Sequence, residues 1–159
     1  MRHWVANRPE RLCYNRAIET VGRGRIMVVL AIDPGREKCG LAVLRENGEV
    51  LCQEVIDTAT FLSVIAAWRE KFSVTDFIIG NGTSSKERVE ELKKYQSREK
   101  NLTLHIVDEY KTTEAARVRY WQEKPPHGWR RLLPTSFQVP PVPVDDYVAV
   151  LLAEKFLKK

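Results

Sequence analysis

At 159 residues the chain has the length of one domain, enough to bury a sizeable core. Its hydrophobic (43%) and charged (30%) fractions are those of an ordinary water-facing globule, and no apolar run approaches the ~20 residues of a membrane span. The net charge of +5 is unevenly spread: residues 1–26 carry six Arg against two Glu, whereas residues 27–159 carry only a net +1. A phosphate-binding surface on the body must therefore be local. The three cysteines, Cys13, Cys39 and Cys52, are odd in number and lack Cys-x-x-Cys spacing. That argues against a structural zinc site and for a reducing compartment. With no secretory signal pattern, the expectation is a cytoplasmic protein without membrane contact.

Residues 1–26 show no regular period. They read as a basic arm for nucleic acid, as an Arg-rich targeting peptide (against Glu10 and Glu19), or as the result of a start codon placed too early. The last reading is favoured, with the segment poorly ordered and a single domain over 27–159, because Met27 directly precedes an apolar run. That run, 27–33, reads as a buried first strand. A second strand follows at 40–45, the turn Glu46-Asn47-Gly48 closes a hairpin, and a third strand occupies 49–56. A helix over 58–71 takes Thr58 or Thr60 as N-cap and puts Phe61, Leu62, Ile65 and Trp68 on one face. Strand four is 77–80, and a strongly charged, exposed helix spans 84–99. Strand five is 102–107, with His105 alternating inside it as a structural residue. A third helix starts near Thr112-Thr113 and ends before Pro125. A Pro-rich loop covers 123–143, and a fourth helix spans 144–157. Crossover helices make the late strands parallel to the first. The fold class is therefore α/β: a mixed five-stranded sheet, an antiparallel three-strand meander followed by βαβα, with helices on its faces.

Acidic residues stand at the ends of these elements: Asp33 closes strand one, Asp108-Glu109 follow strand five, and Asp145-Asp146 open the last helix. Carboxylates converging from strand tips and a helix terminus suit a hard divalent cation, and so a metal-dependent phosphodiester-cutting site. Each has a plainer reading. Asp33-Pro34-Gly35 is also a common turn, Asp108 a turn or cap residue, and Asp145-Asp146 a charge complement to the helix dipole. Asp108 and Glu109 are neighbours at a strand end, where side-chain direction is not set by alternation.

Three segments taken together resemble one family. Asp33-x-Gly35-x-x-x-x-Gly40-x-Ala42 is similar to the first-strand signature of YqgF/RuvX proteins. The run from Val107 to Arg117 is similar to their strand-five segment, and Val144-Asp-Asp-Tyr-Val-Ala-Val150 to their last helix. These are RuvC-like, ribonuclease H-like nucleases, described as processing the 5′ end of pre-16S rRNA or as Holliday junction resolvase-like. The resemblance implies catalytic acids Asp33, Glu109 and Asp145, which would hold Mg²⁺, or Mn²⁺, with Asp146 as an added metal ligand. Two ions about 3.5–4 Å apart would flank the scissile phosphate, Asp33 bridging them. Two departures stand out. The loop Gly80–Lys86 is short, and the positions three beyond Asp145 and Asp146 are Val148 and Ala149, where RuvC carries a fourth ligand. The second departure counts against junction resolution.

Substrate contacts are expected from Gly35, where backbone or phosphate can approach closely, and from Lys38 in the first hairpin. Asn81 and Thr83 stand at a strand-to-helix junction whose N–H groups can bind phosphate, and Arg117 is on the third helix. The plain readings are a solvated turn lysine for Lys38, a helix cap for Asn81 and Thr83, and a solvated helix face for Arg117. Trp121, His127, Trp129, Arg130 and Arg131 mix aromatic and basic character as in nucleic-acid clamps, or simply anchor the long loop. The expected function is a metal-dependent nuclease in pre-16S rRNA 5′-end processing. The alternatives are a junction resolvase-like endonuclease in DNA recombination and repair, and a catalytically weak nucleic-acid-binding module. An actin-like phosphotransferase also uses an acid-Gly hairpin but needs two such domains. The partner is nucleic acid, structured RNA or branched DNA, bound by a monomer or a homodimer.

Overall fold

The computed structural model describes residues 26–82, 85–109 and 111–158, so the expectation for the N-terminal segment lies, but for Ile26, outside the described residues. In chain order the elements are β1 (Val28–Pro34), β2 (Lys38–Arg45), β3 (Val50–Asp57), α1 (Phe61–Phe72), β4 (Asp76–Gly80), α2 (Ser85–Gln96), β5 (Thr103–Val107), α3 (Thr112–Glu123) and α4 (Asp145–Leu157). The strands form one sheet ordered β3-β2-β1-β4-β5. The first three pair antiparallel, and β4 and β5 run parallel to β1. This is the expected mixed sheet. Gly48 closes the β2–β3 hairpin at φ +85°, a conformation glycine enters without steric cost, and its N–H donates to the Arg45 carbonyl at 2.9 Å. Among the described residues, no helix is long and apolar enough to cross a membrane.

β1 is central and packed on both faces, and strand alternation divides its side chains between two cores. Val28, Leu30 and Ile32 join one core with Phe61, Ile65, Trp68 and Phe72 of α1 and Val89 and Leu92 of α2. Val29 and Ala31 join the other, with Ala116, Tyr120 and Trp121 of α3 and Tyr147 through Val150 of α4. By the same alternation Asp33 falls on the α3–α4 face. The sheet is thin there: Ala31 pairs with Ala42, and Asp33 with Gly40, so α4 packs close to the strands.

Several local expectations are corrected. Thr58–Thr60 form a 3₁₀ turn ahead of α1, and the Thr60 hydroxyl donates back to the Asp57 carbonyl at 2.9 Å instead of capping the helix. Leu62 is 44% exposed, because one helical step of about 100° from Phe61 carries it off the buried face. α2 ends at Gln96, whose side-chain amide donates to the Leu102 carbonyl at 2.9 Å and turns the chain into β5. The Pro-rich loop contains two 3₁₀ turns, Gly128–Leu132 and Thr135–Phe137. His105 is structural: its Nε2 lies 2.9 Å from Asp76 Oδ1 and its ring 4.5 Å from that of Phe156.

Phe77 is fully buried and stacks on Tyr95 with centroids 6.0 Å apart. Phe77→Ala is expected to cost about 3–5 kcal/mol in urea unfolding. A loss below about 1 kcal/mol would mean that this core is not packed as described.

Candidate active site

Asp33 stands near the end of the central strand, where β1 is bordered by β2 and β4 and covered by α4. Its carboxyl is raised from its usual 3.8 to about 7, first by burial, then by the nearby Glu109 and Asp145 carboxylates. The strand tip thus feels two acids that are distant in the chain. Gly35 leaves the room occupied by the Lys38 carbonyl, so the close approach there is made by the protein's own tight turn.

Glu109 follows β5 and is held on every side. Its backbone N–H donates to Asn81 Oδ1 at 3.2 Å, and its carbonyl accepts from both the N–H (3.0 Å) and the hydroxyl of Thr112. The buried Thr112 is thus inside α3 as an anchor for Glu109, and Lys111, in the left-handed region, precedes the helix. The Glu109 carboxylate fills a gap left by two glycines, since a Cβ on Gly80 or Gly82 would overlap it. The Gly82 N–H bonds to this carboxylate and lowers its pKa, but burial outweighs that bond and the net shift is upward. Glu109 Oε1 is buried without a hydrogen-bond partner among the described residues. Such an orphan acceptor is costly unless something else occupies it.

Asp145 and Asp146 start α4 but divide. A Cβ on Gly40 would overlap the Asp145 carbonyl, so Gly40 is what lets the helix N-terminus rest on the sheet beside Asp33. Burial raises the Asp145 pKa, and the Lys38 ammonium offsets part of the rise. Asp146 turns toward β3. Its Oδ2 accepts from Gln53 Nε2 at 3.1 Å and its Oδ1 from the Tyr147 N–H at 3.0 Å, so both oxygens already have donors.

The structure therefore brings Asp33, Glu109, Asp145 and Lys38 to one place. Asn81 lies there too, but its side-chain oxygen is spent on positioning Glu109. Thr83 lies outside the described residues. Arg117 is exposed on α3, and its neighbour Arg119 is tied to Glu123 and Glu154. Sequence reasoning missed Gln53, Gly80 and Gly82 as supports. The Gly80-Asn-Gly82 spacing was the available signal for the last two.

The donor set fits a hard cation. It consists of carboxylate oxygens, one of them orphaned, with Asp33 raised by burial and then by its acidic neighbours. No group of three or more His, Cys, Asp or Glu forms a ready-made cage among the described residues. The two observations agree, since Coulomb repulsion reaches further than a coordination bond. Mg²⁺ needs only one or two carboxylates beside water and phosphate oxygens.

A mixed sheet of this order with helices on both faces is the ribonuclease H-like fold. The solved structure of the fowlpox virus Holliday junction resolvase shares it, with a TM-score of 0.55 at 13% identity over 83% of this chain and 98% of that one. Residues 27–116, more than half of the chain, match the family of the Tex protein YqgF-like domain, and the chain belongs to that family. The matched segment contains Asp33 and Glu109, while Asp145 lies beyond it. No curated protein matches the sequence.

Two predictions follow from the geometry. Gly40→Ala is expected to destabilise the protein by about 1–3 kcal/mol in urea unfolding, because the obstructing atoms are backbone and cannot rotate away. The second concerns pH. The folded Asp33 holds its proton up to about 7 and the unfolded one only to about 3.8, so its share of stability is complete below 3.8 and lost as pH rises through 7. Asp33→Asn should therefore stabilise the protein in EDTA at pH 8, by at most about 4 kcal/mol in urea unfolding, and by much less at pH 4. An equal effect at both pH values would contradict the assignment.

Proposed function

We propose that this chain is a metal-dependent nuclease that hydrolyses nucleic-acid phosphodiesters, with the 5′ end of a pre-16S rRNA as its substrate. The observation that carries the reading is the orphaned Oε1 of Glu109, buried at the strand edge where Asp33 and Asp145 also converge. Membership of the YqgF-like family and the resolvase-like fold support a role on nucleic acid.

Asp33, Glu109 and Asp145 would hold Mg²⁺, which when bound supplies Lewis-acid activation of water and neutralises phosphate charge. The chain's own residues do the rest. Asp33, on the central strand, fixes the centre. Asn81 and Thr112 lock the Glu109 backbone, and the Gly80–Gly82 gap holds its carboxylate in one position. Lys38 tempers the repulsion around Asp145 and offers a cation to a phosphate oxygen. Asp146, engaged by Gln53, supports the helix start rather than completing the ligand set.

The test compares wild type with Asp33→Asn on an unprocessed 16S rRNA precursor fragment and on a four-way DNA junction, each with Mg²⁺, Mn²⁺ or EDTA. Metal-dependent cleavage of the rRNA fragment is expected, reduced on the order of 100-fold or more by Asp33→Asn, with binding retained. Symmetric cuts in the junction would favour a resolvase. Binding without cleavage of either would leave a nucleic-acid-binding module.

A further inference from the structure

We infer that the cavity beside the first turn of α4 is a subsite for one nucleotide of a single-stranded or unpaired segment of nucleic acid. The cavity measures about 300 Å³ and lies between the end of α3 and the Pro-rich loop, lined among others by Tyr120, Trp121, Lys124, His127, Arg130 and Pro141. That is the lower end of the range for ligand sites, which suits a single nucleotide.

Its lining contains two full positive charges and an imidazole but no acid. The acids around it are engaged elsewhere: Glu123 accepts from Arg119 at 3.1 Å and from the Tyr147 hydroxyl, and Asp146 accepts from Gln53. Lys124 Nζ sits over the Tyr120 and Tyr147 rings at 5.5 and 5.9 Å, which holds the ammonium in place. Trp121 is only 9% exposed, and its indole N–H is a buried donor without an acceptor among the described residues. Buried donors rarely go without an acceptor, and this one belongs to a residue that lines the cavity.

The loop side of the cavity is tied down. Gln138 Nε2 donates to the carbonyls of Arg130 and Leu133 at 2.9 Å each, which fixes the turn that presents Arg130. Trp129, one residue earlier, is 71% exposed and extends the aromatic surface outward. Cations for a phosphate, rings for a base and an unpaired donor are together what a nucleotide engages. Tyr120 and Trp121 pack on the sheet face toward which Asp33 alternates, so on the nuclease reading a nucleotide seated here would lie on the same side of the sheet as the acids. Only that last placement rests on the nuclease reading; binding itself does not.

The experiment is fluorescence anisotropy of the full chain in EDTA with a short labelled single-stranded RNA and with the same sequence as a duplex. The single strand should bind more tightly. His127→Ala combined with Arg130→Ala should weaken it about tenfold and lower the salt slope by about one. Trp121→Phe, which removes only the donor and shrinks the ring, should weaken it several-fold. Arg131→Ala removes the same charge from the same turn outside the cavity lining and should stay within about twofold. Equal weakening by Arg130→Ala and Arg131→Ala would overturn the proposal, as would unchanged affinity in all variants. Pocket-dependent binding without metal-dependent cleavage by wild type would end the nuclease reading and keep the subsite.

Discussion

Gly40 faces Asp33 across the β1–β2 ladder, and the Asp145 backbone occupies the space that any other residue there would fill with its side chain. That contact sets the height of α4 above the sheet. Asp145 reaches the strand tip because of it, Asp146 is turned toward Gln53 on β3, and Tyr147 meets Tyr120 edge-on with centroids 5.8 Å apart. The end of α3 and the start of α4 are thereby fixed together, so the acidic tip and the basic cavity share one foundation.

Gathering acids beneath a helix works against folding. Asp33, Glu109, Asp145 and Asp146 all have raised pKa values, with burial the largest cause in each. Isolated, such groups would draw in water or splay apart. Here the Gly82 N–H, Lys38 and Gln53 each relieve one of them, and the remainder of the penalty is borne by the two apolar cores. Destabilising charge gathered at one place in the fold is the pattern expected under the proposed metal-dependent chemistry.

Much of this was readable from residues alone, because periodicity within one segment decides it. The apolar run of β1, the Asn47-Gly48 turn and the spacing of Phe61, Ile65 and Trp68 each specify their element locally. That acids stand at element ends was legible for the same reason, an element boundary being a local signal, but the choice of Glu109 over Asp108 came from the family resemblance. What escaped was whatever depends on distant partners. Gln53 meets Asp146 across 93 positions, and Asn81 meets Glu109 across 28. Nothing near Asn81 distinguishes a residue that binds substrate from one that fixes a backbone N–H. Likewise, Gly80 and Gly82 read as turn residues until the side chain that fills their space is seen.

The division of β1 between two cores also bears on how this protein can change over generations. The α1–α2 side is built from large apolar residues, Phe61, Trp68, Phe72 and Phe77 among them, and contributes no acid to the strand tip. The α3–α4 side keeps its large rings, Tyr120, Trp121 and Tyr147, on the helices and has small residues, Ala31 and Ala42, on β1 and β2 beneath α4. Substitutions on the first side alter stability and leave the acids where they are. On the second, an added side-chain carbon at Gly40 would push on the start of α4 and move Asp145 with it. Drift should therefore accumulate on the α1–α2 face of the sheet and be held back on the face that seats Asp145.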